Sequence, residues 1–160
     1  MAMDEPFQER FAYNRAANHK FIELFDQEPS IPEKAKEIFS HILNVHLIWL
    51  NRISPLTNVI IPDIWESLAV KDFAKRNRLC FRQTMMFLER DEKGVQPEML
   101  ISYKNSRGKE FKNTVDEIYT HILMHSMYHR GQVARFFREA GIDPPLTDFI
   151  MHMRDLRRKM

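Results

Sequence analysis

Apolar residues recur at three- and four-residue steps in four long stretches of the chain, the spacing that lines one face of a helix. Phe7, Phe11, Ala17, Phe21, Leu24 and Phe25, interleaved with Glu, Arg and Asn, predict a first helix from Pro6 to about Asp26. Ser30-Ile-Pro-Glu33 has the form of a capping box with Pro32 in the first turn, and it predicts a second helix running to about Ile53. From Val70 to about Glu89 the pattern returns through Phe73, Asn77, Cys80, Phe81, Thr84, Met85 and Leu88, with a stop near Gly94. Thr114 to about Ala140 makes the fourth long helix, ended by Gly141 as a left-handed cap and by Pro144-Pro145 beyond it. Thr147-Asp148 can start a short final helix.

The interruptions are equally informative. Pro55 and Pro62 exclude a continuous helix, so Ser54 to Ser67 is a long connection carrying Trp65, and loops of that length are often functional. Leu100-Ile-Ser-Tyr103, an Asn/Gly turn ending at Gly108, and Glu110-Phe111 give the one clear strand signal, a short hairpin. There is no internal repeat. Four amphipathic helices bury their stripes most simply as an all-α four-helix bundle, here with a small β-hairpin before the last long helix. A length of 160 residues suits one domain spanning 1–160, able to bury a core without disulfides.

Composition narrows the setting. The single cysteine, Cys80, excludes an intramolecular disulfide and a cysteine-based zinc site, so any metal must rely on nitrogen and oxygen, and a reducing compartment fits best. Met1 to Gln8 is polar and acidic, unlike a secretory signal, and no apolar run approaches the roughly 20 residues of a membrane span. These features predict a cytoplasmic protein with no membrane partner. With a net charge of +2, the one concentrated basic cluster, Arg154, Arg157, Arg158 and Lys159, is too small for a nucleic-acid surface and reads as a solvated last turn that suits the helix dipole.

Six of the seven histidines lie on the predicted long helices: His19, His41, His46, His121, His125 and His129. At about 100° per residue, His125 and His129 fall near the centre of the stripe containing Ile118, Ile122, Val133 and Phe136. Two imidazoles four residues apart on one face can bind the same ion, as in the HExxH arrangement, although Ser-Met-Tyr between them lacks that motif's glutamate. An isolated pair of this kind is common, but two unpaired imidazoles in an apolar face cost free energy unless bonded to something. On the second helix, His46 falls nearer the middle of the apolar arc and His41 nearer its edge, so spacing alone leans towards His46 as a third ligand. Taken singly, His19, His46, His121 and His152 are more often donors to a carbonyl or carboxylate than metal ligands. Met85, Met86, Met124, Met127 and Met151 read as gap-filling core. Trp49, Trp65 and Tyr103 read as packing residues, with pocket lining as the second option.

Three segments together resemble a known family. Ser40-His-Ile-Leu-Asn-Val-His-Leu-Ile-Trp-Leu-Asn-Arg52, the hairpin Ile101-Ser-Tyr-Lys-Asn-Ser-Arg-Gly108, and His125-Ser-Met-Tyr-His-Arg-Gly-Gln132 with Pro144-Pro-Leu-Thr-Asp-Phe-Ile150 are similar to the DinB/YfiT family of bacterial metalloenzymes, unrelated to the DNA polymerase that shares the name. The opening Phe11-Ala-Tyr-Asn-Arg-Ala-Ala-Asn18 resembles the family's first helix. This resemblance implies a four-helix bundle with a three-histidine site for nickel or zinc, often in a homodimer. It assigns His41, from the "His-Ile/Leu-Leu" step, as the third ligand beside His125 and His129. His46, Gln132, Tyr103 and His121 become neighbours of the ligands or of the pocket. Relatives include thiol-dependent transferases and isomerases in which a low-molecular-weight thiol is activated at the metal.

Three neutral imidazoles leave a divalent ion with open positions, the arrangement of catalytic sites, where bound water or thiol is acidified. The expected function is a metal-dependent transferase or hydrolase acting on a small molecule. The alternative is a non-catalytic, stress-related dimeric bundle that only binds.

Overall fold

In the computed structural model, residues 5–89 and 95–159 are described. The elements run α1 (Glu5–Gln27), α2 (Glu33–Ile53), α3 (Val70–Leu88), β1 (Leu100–Lys104), β2 (Glu110–Thr114), α4 (Val115–Glu139) and α5 (Phe149–Arg158). The expected stop near Gly94 and the segment Met1–Asp4 lie outside the described residues. Around the bundle, α1 packs on α3 and α4, and α2 packs on the same two helices, so α1 faces α2 across the diagonal. No described helix is long and apolar enough to cross a membrane.

The stripes form two apolar layers. Towards one end, Phe21, Phe25, Phe39, Phe73 and Phe137 interlock, with ring centroids 4.9 Å apart for Phe39 and Phe73 and 5.1 Å for Phe25 and Phe137. Towards the other, Phe7, Phe11, Leu50, Ile118, Tyr119 and Ile122 do the same. Between these layers each helix contributes buried polar residues: Asn14 and Asn18, then His41, Asn44 and His46, then Asn77 and Thr84, then Ser126 and Arg130. A polar belt therefore crosses the middle of the bundle, and His41 and His46 belong to it.

Two local expectations are corrected. The capping box at Ser30 does not form, because Ile31 turns into the core and the helix starts only at Glu33, whose carboxylate pairs with Lys36 at 3.2 Å. A capping box closes α4 instead, with the Thr114 N–H donating to Glu117 at 2.9 Å. The methionines are not gap-filling core as a group: Met86, Met124, Met127 and Met151 are exposed, and Met85 alone of the five packs against the apolar layer. The hairpin pairs Leu100 with Thr114 and Lys104 with Glu110, and β2 runs directly into α4. Gly141, at φ +75°, supplies the left-handed residue that ends α4.

Candidate metal centre

Helix α2 carries four buried polar residues, and three of them, Ser40, His41 and Asn44, face the connection 54–69. Each is matched by the connection 54–69, which folds back along the helix. The Leu68 N–H donates to Ser40 Oγ at 3.0 Å, and Asn44 Nδ2 donates to the carbonyls of Glu66 and Asp63 at 2.7 and 3.3 Å. His41 Nδ1–H donates to the Ile64 carbonyl at 3.0 Å, and Trp65 stacks flat on the imidazole, 3.8 Å between centroids and 8° between planes. With its Nδ1 proton committed, His41 presents the Nε2 lone pair to α4.

On α4, His125 and His129 sit one turn apart with ring centroids 4.4 Å from each other. His41 Nε2 lies 3.1 Å from His125 Nε2, and one ring nitrogen from each of His41, His125 and His129 falls within 4.8 Å of the other two. His129 Nδ1–H donates to Gln132 Oε1 at 2.8 Å, which fixes that ring and frees its Nε2. Among the described residues no carboxylate or cysteine joins the group.

The electrostatics keep two of the donors, His41 and His125, neutral. Burial pushes His125 down to about 3, and the neighbouring His129, His41 and His121 add to the depression. His41 is lowered as well, chiefly by burial and also by His129, against the opposing pull of its Ile64 hydrogen bond. Unprotonated imidazole is the form that ligates a metal. Two nitrogens bound at about 2.0–2.1 Å to one ion stand about 2.8–3.4 Å apart in octahedral or tetrahedral geometry, and the 3.1 Å between His41 and His125 lies in that span. The donor set thus suits a divalent ion that accepts imidazole, as zinc and nickel do.

The other expected residues take different places. His46, which spacing favoured, is buried, but its Nε2–H donates to Thr84 Oγ1 on α3 at 2.9 Å and its ring lies on Phe11. Helical spacing identified the core face of α2 correctly and could not say which buried imidazole meets α4. His121 is exposed, 5.5 Å from His125 and 5.0 Å from Trp49 by centroids. Tyr103 donates its hydroxyl proton to Asn113 Oδ1 at 2.7 Å and packs edge-on to Trp49. His19 faces solvent beside Glu23, and His152 packs on Tyr13. Sequence reasoning missed the role of Ile64 and Trp65 as the outer support of His41. The available signal was the set of polar residues Ser40, His41 and Asn44 among the apolar positions of α2, which need hydrogen-bond partners once buried.

The DinB family matches residues 11–159, a span that includes every helix bearing the three histidines. Protein DinB of Bacillus subtilis (strain 168) is 24% identical over 159 residues, covering 89% of this chain and 91% of that protein. With the family match running over nearly the whole chain, the protein belongs to the DinB family.

Proposed function

We propose that His41, His125 and His129 ligate one divalent ion, zinc or nickel, and that the centre serves a thiol-dependent S-transferase or a hydrolase acting on a small molecule. The observation that carries this reading is the convergence of three ring nitrogens from two helices within 4.8 Å. Held by these three neutral imidazoles, a divalent ion would supply the positive charge that acidifies a bound water or thiol. The chain's own residues do the rest. Ile64 and Gln132 hold the His41 and His129 rings in the ligating tautomer, and Trp65 shields one face of His41 from water.

The test is metal content of protein purified without a histidine tag. One equivalent of zinc or nickel is expected, lost in His125→Ala and His129→Ala. Trace metal that these substitutions leave unchanged would sink the proposal. Consumption of a low-molecular-weight thiol against monochlorobimane, with and without metal, then separates transferase from hydrolase.

A second reading, a non-catalytic dimeric module, is favoured by Met124, Met127 and Tyr128, which leave an apolar stripe of α4 57–66% exposed. A homodimer through that stripe is compatible with either reading, and sedimentation at micromolar concentration tests it. No nucleic-acid or membrane partner enters either reading.

A further inference from the structure

Arg52 is half-buried in the last turn of α2, its guanidinium carbon 4.3 Å from the Trp49 ring centroid and 4.8 Å from that of Tyr103. Two aromatic rings hold the fork in place, so little freedom remains to be lost when it binds something. A guanidinium has five N–H donors, yet among the described residues no ion pair or hydrogen bond uses those of Arg52. Tyr103, the neighbour of Arg52, donates its hydroxyl proton to Asn113 Oδ1, and no carboxylate is paired with the guanidinium among the described residues. A partly desolvated cation with unspent donors is costly until an anion meets it.

Its position links this cation to the histidine cluster. Trp49 touches His121 with 5.0 Å between centroids, and His121 stands 5.5 Å from His125. His121 is exposed, and Arg52, Trp49 and His125 are each part-exposed, so solvent reaches every member of the strip from Arg52 to His125. One helical turn separates His121 from His125, about 6 Å along α4, which puts the guanidinium on the order of 10 Å from the cluster.

We propose that Arg52 recognises a carboxylate of the small molecule that reacts at the three-histidine cluster, whose substrate is therefore an elongated anion with that carboxylate on the order of 10 Å from the atom facing the histidines. The planar fork matches a planar carboxylate through two parallel hydrogen bonds. This rests on the metal reading above and adds the substrate's charge and length to it.

Trp49 provides a reporter, because Trp65→Phe leaves it as the single tryptophan of the two in the chain. Glutathione, with two free carboxylates, and its diethyl ester are titrated into the full-length protein, metal-free and zinc-supplemented, while zinc content is measured separately in the natural Trp65 background. The free acid is expected to bind about 10–100-fold more tightly than the ester. That preference disappears in Arg52→Gln and returns in part in Arg52→Lys, with zinc content unchanged in both. Equal affinities for acid and ester, or no saturable signal with the acid, overturn the proposal. So does loss of zinc in Arg52→Gln, which would make Arg52 a support of the fold. Failure of the unsubstituted protein to bind zinc counts against the metal reading alone, and discrimination by the metal-free protein then decides for or against Arg52.

Discussion

His46 shows how one buried imidazole can be held without metal. Thr84 donates its hydroxyl proton to the Cys80 carbonyl at 2.9 Å, so its oxygen is left to accept from His46 Nε2–H. Cys80 in turn donates its thiol to the Leu43 carbonyl at 3.5 Å, and burial pushes that thiol up to about 12, which makes it an inert packing group. Full burial lowers His46 from 6.5 to about 3. Because its folded value lies below the unfolded one, the unfolded chain binds the extra proton between these pH values. The stability contributed is complete above about 6.5 and is lost as pH falls towards 3. Between pH 7 and pH 5 this one group should cost the fold about 2 kcal/mol. Urea titrations of the chelated protein across that range would show the slope, and His46→Gln should flatten it by about that amount. An unchanged slope in the variant would mean that His46 is not held neutral.

At the scale of elements, α4 contrasts two glycines. Gly131 lies inside the helix, exposed, and a Cβ built on it meets nothing within 4 Å. Gly131→Ala should therefore stabilise the protein by about 0.5–1 kcal/mol, since glycine is the weaker helix former. Gly141 also has open space, but its φ of +75° strains any residue with a Cβ, so Gly141→Ala should destabilise by about 1 kcal/mol. Denaturant midpoints of the two variants should move in opposite directions, and a shift of the same sign in both would contradict this account. The helices themselves were legible because each buries a continuous stripe, which leaves a 3.6-residue period in the sequence. Helix starts were less so: Ser30-x-x-Glu33 and Thr114-x-x-Glu117 carry the same signature, and only the burial of Ile31 decides against the first. The connection 54–69 was recognisable from Pro55 and Pro62 as non-helical. Its path along α2, and with it the support of His41 by Ile64 and Trp65, depends on tertiary bonds to Ser40 and Asn44 that no periodicity encodes.

At the scale of the molecule, the belt between the apolar layers carries, among the described residues, one buried cation away from the three-histidine cluster. Arg130 follows His129 in sequence but points to the other side of α4, where Nη1 donates to Asn14 Oδ1 at 2.5 Å and Asn18 Oδ1 at 2.9 Å. Asn18 Nδ2 continues to Asn77 Oδ1 at 3.1 Å, and Asn77 Nδ2 ends the chain on the Arg15 carbonyl at 3.1 Å. These bonds tie α4 to α1 and α1 to α3 without a carboxylate, and burial accordingly holds the Arg130 pKa below its usual value. Arg130 and His129 are adjacent, so the bonds that position Arg130 also fix the rotation of α4 that aims His125 and His129 at α2. Replacing it by Met preserves volume and removes the donor, leaving the Asn14 and Asn18 oxygens buried and without their cation. That should cost about 2–4 kcal/mol, read from urea denaturation, with a lower affinity for zinc in the folded fraction. Arg130→Lys keeps the charge, can still reach one asparagine, and should recover part of both losses. If Arg130→Met lowers stability while zinc affinity holds, the helix's rotation is set by the apolar layers and the network is a stabilising element alone.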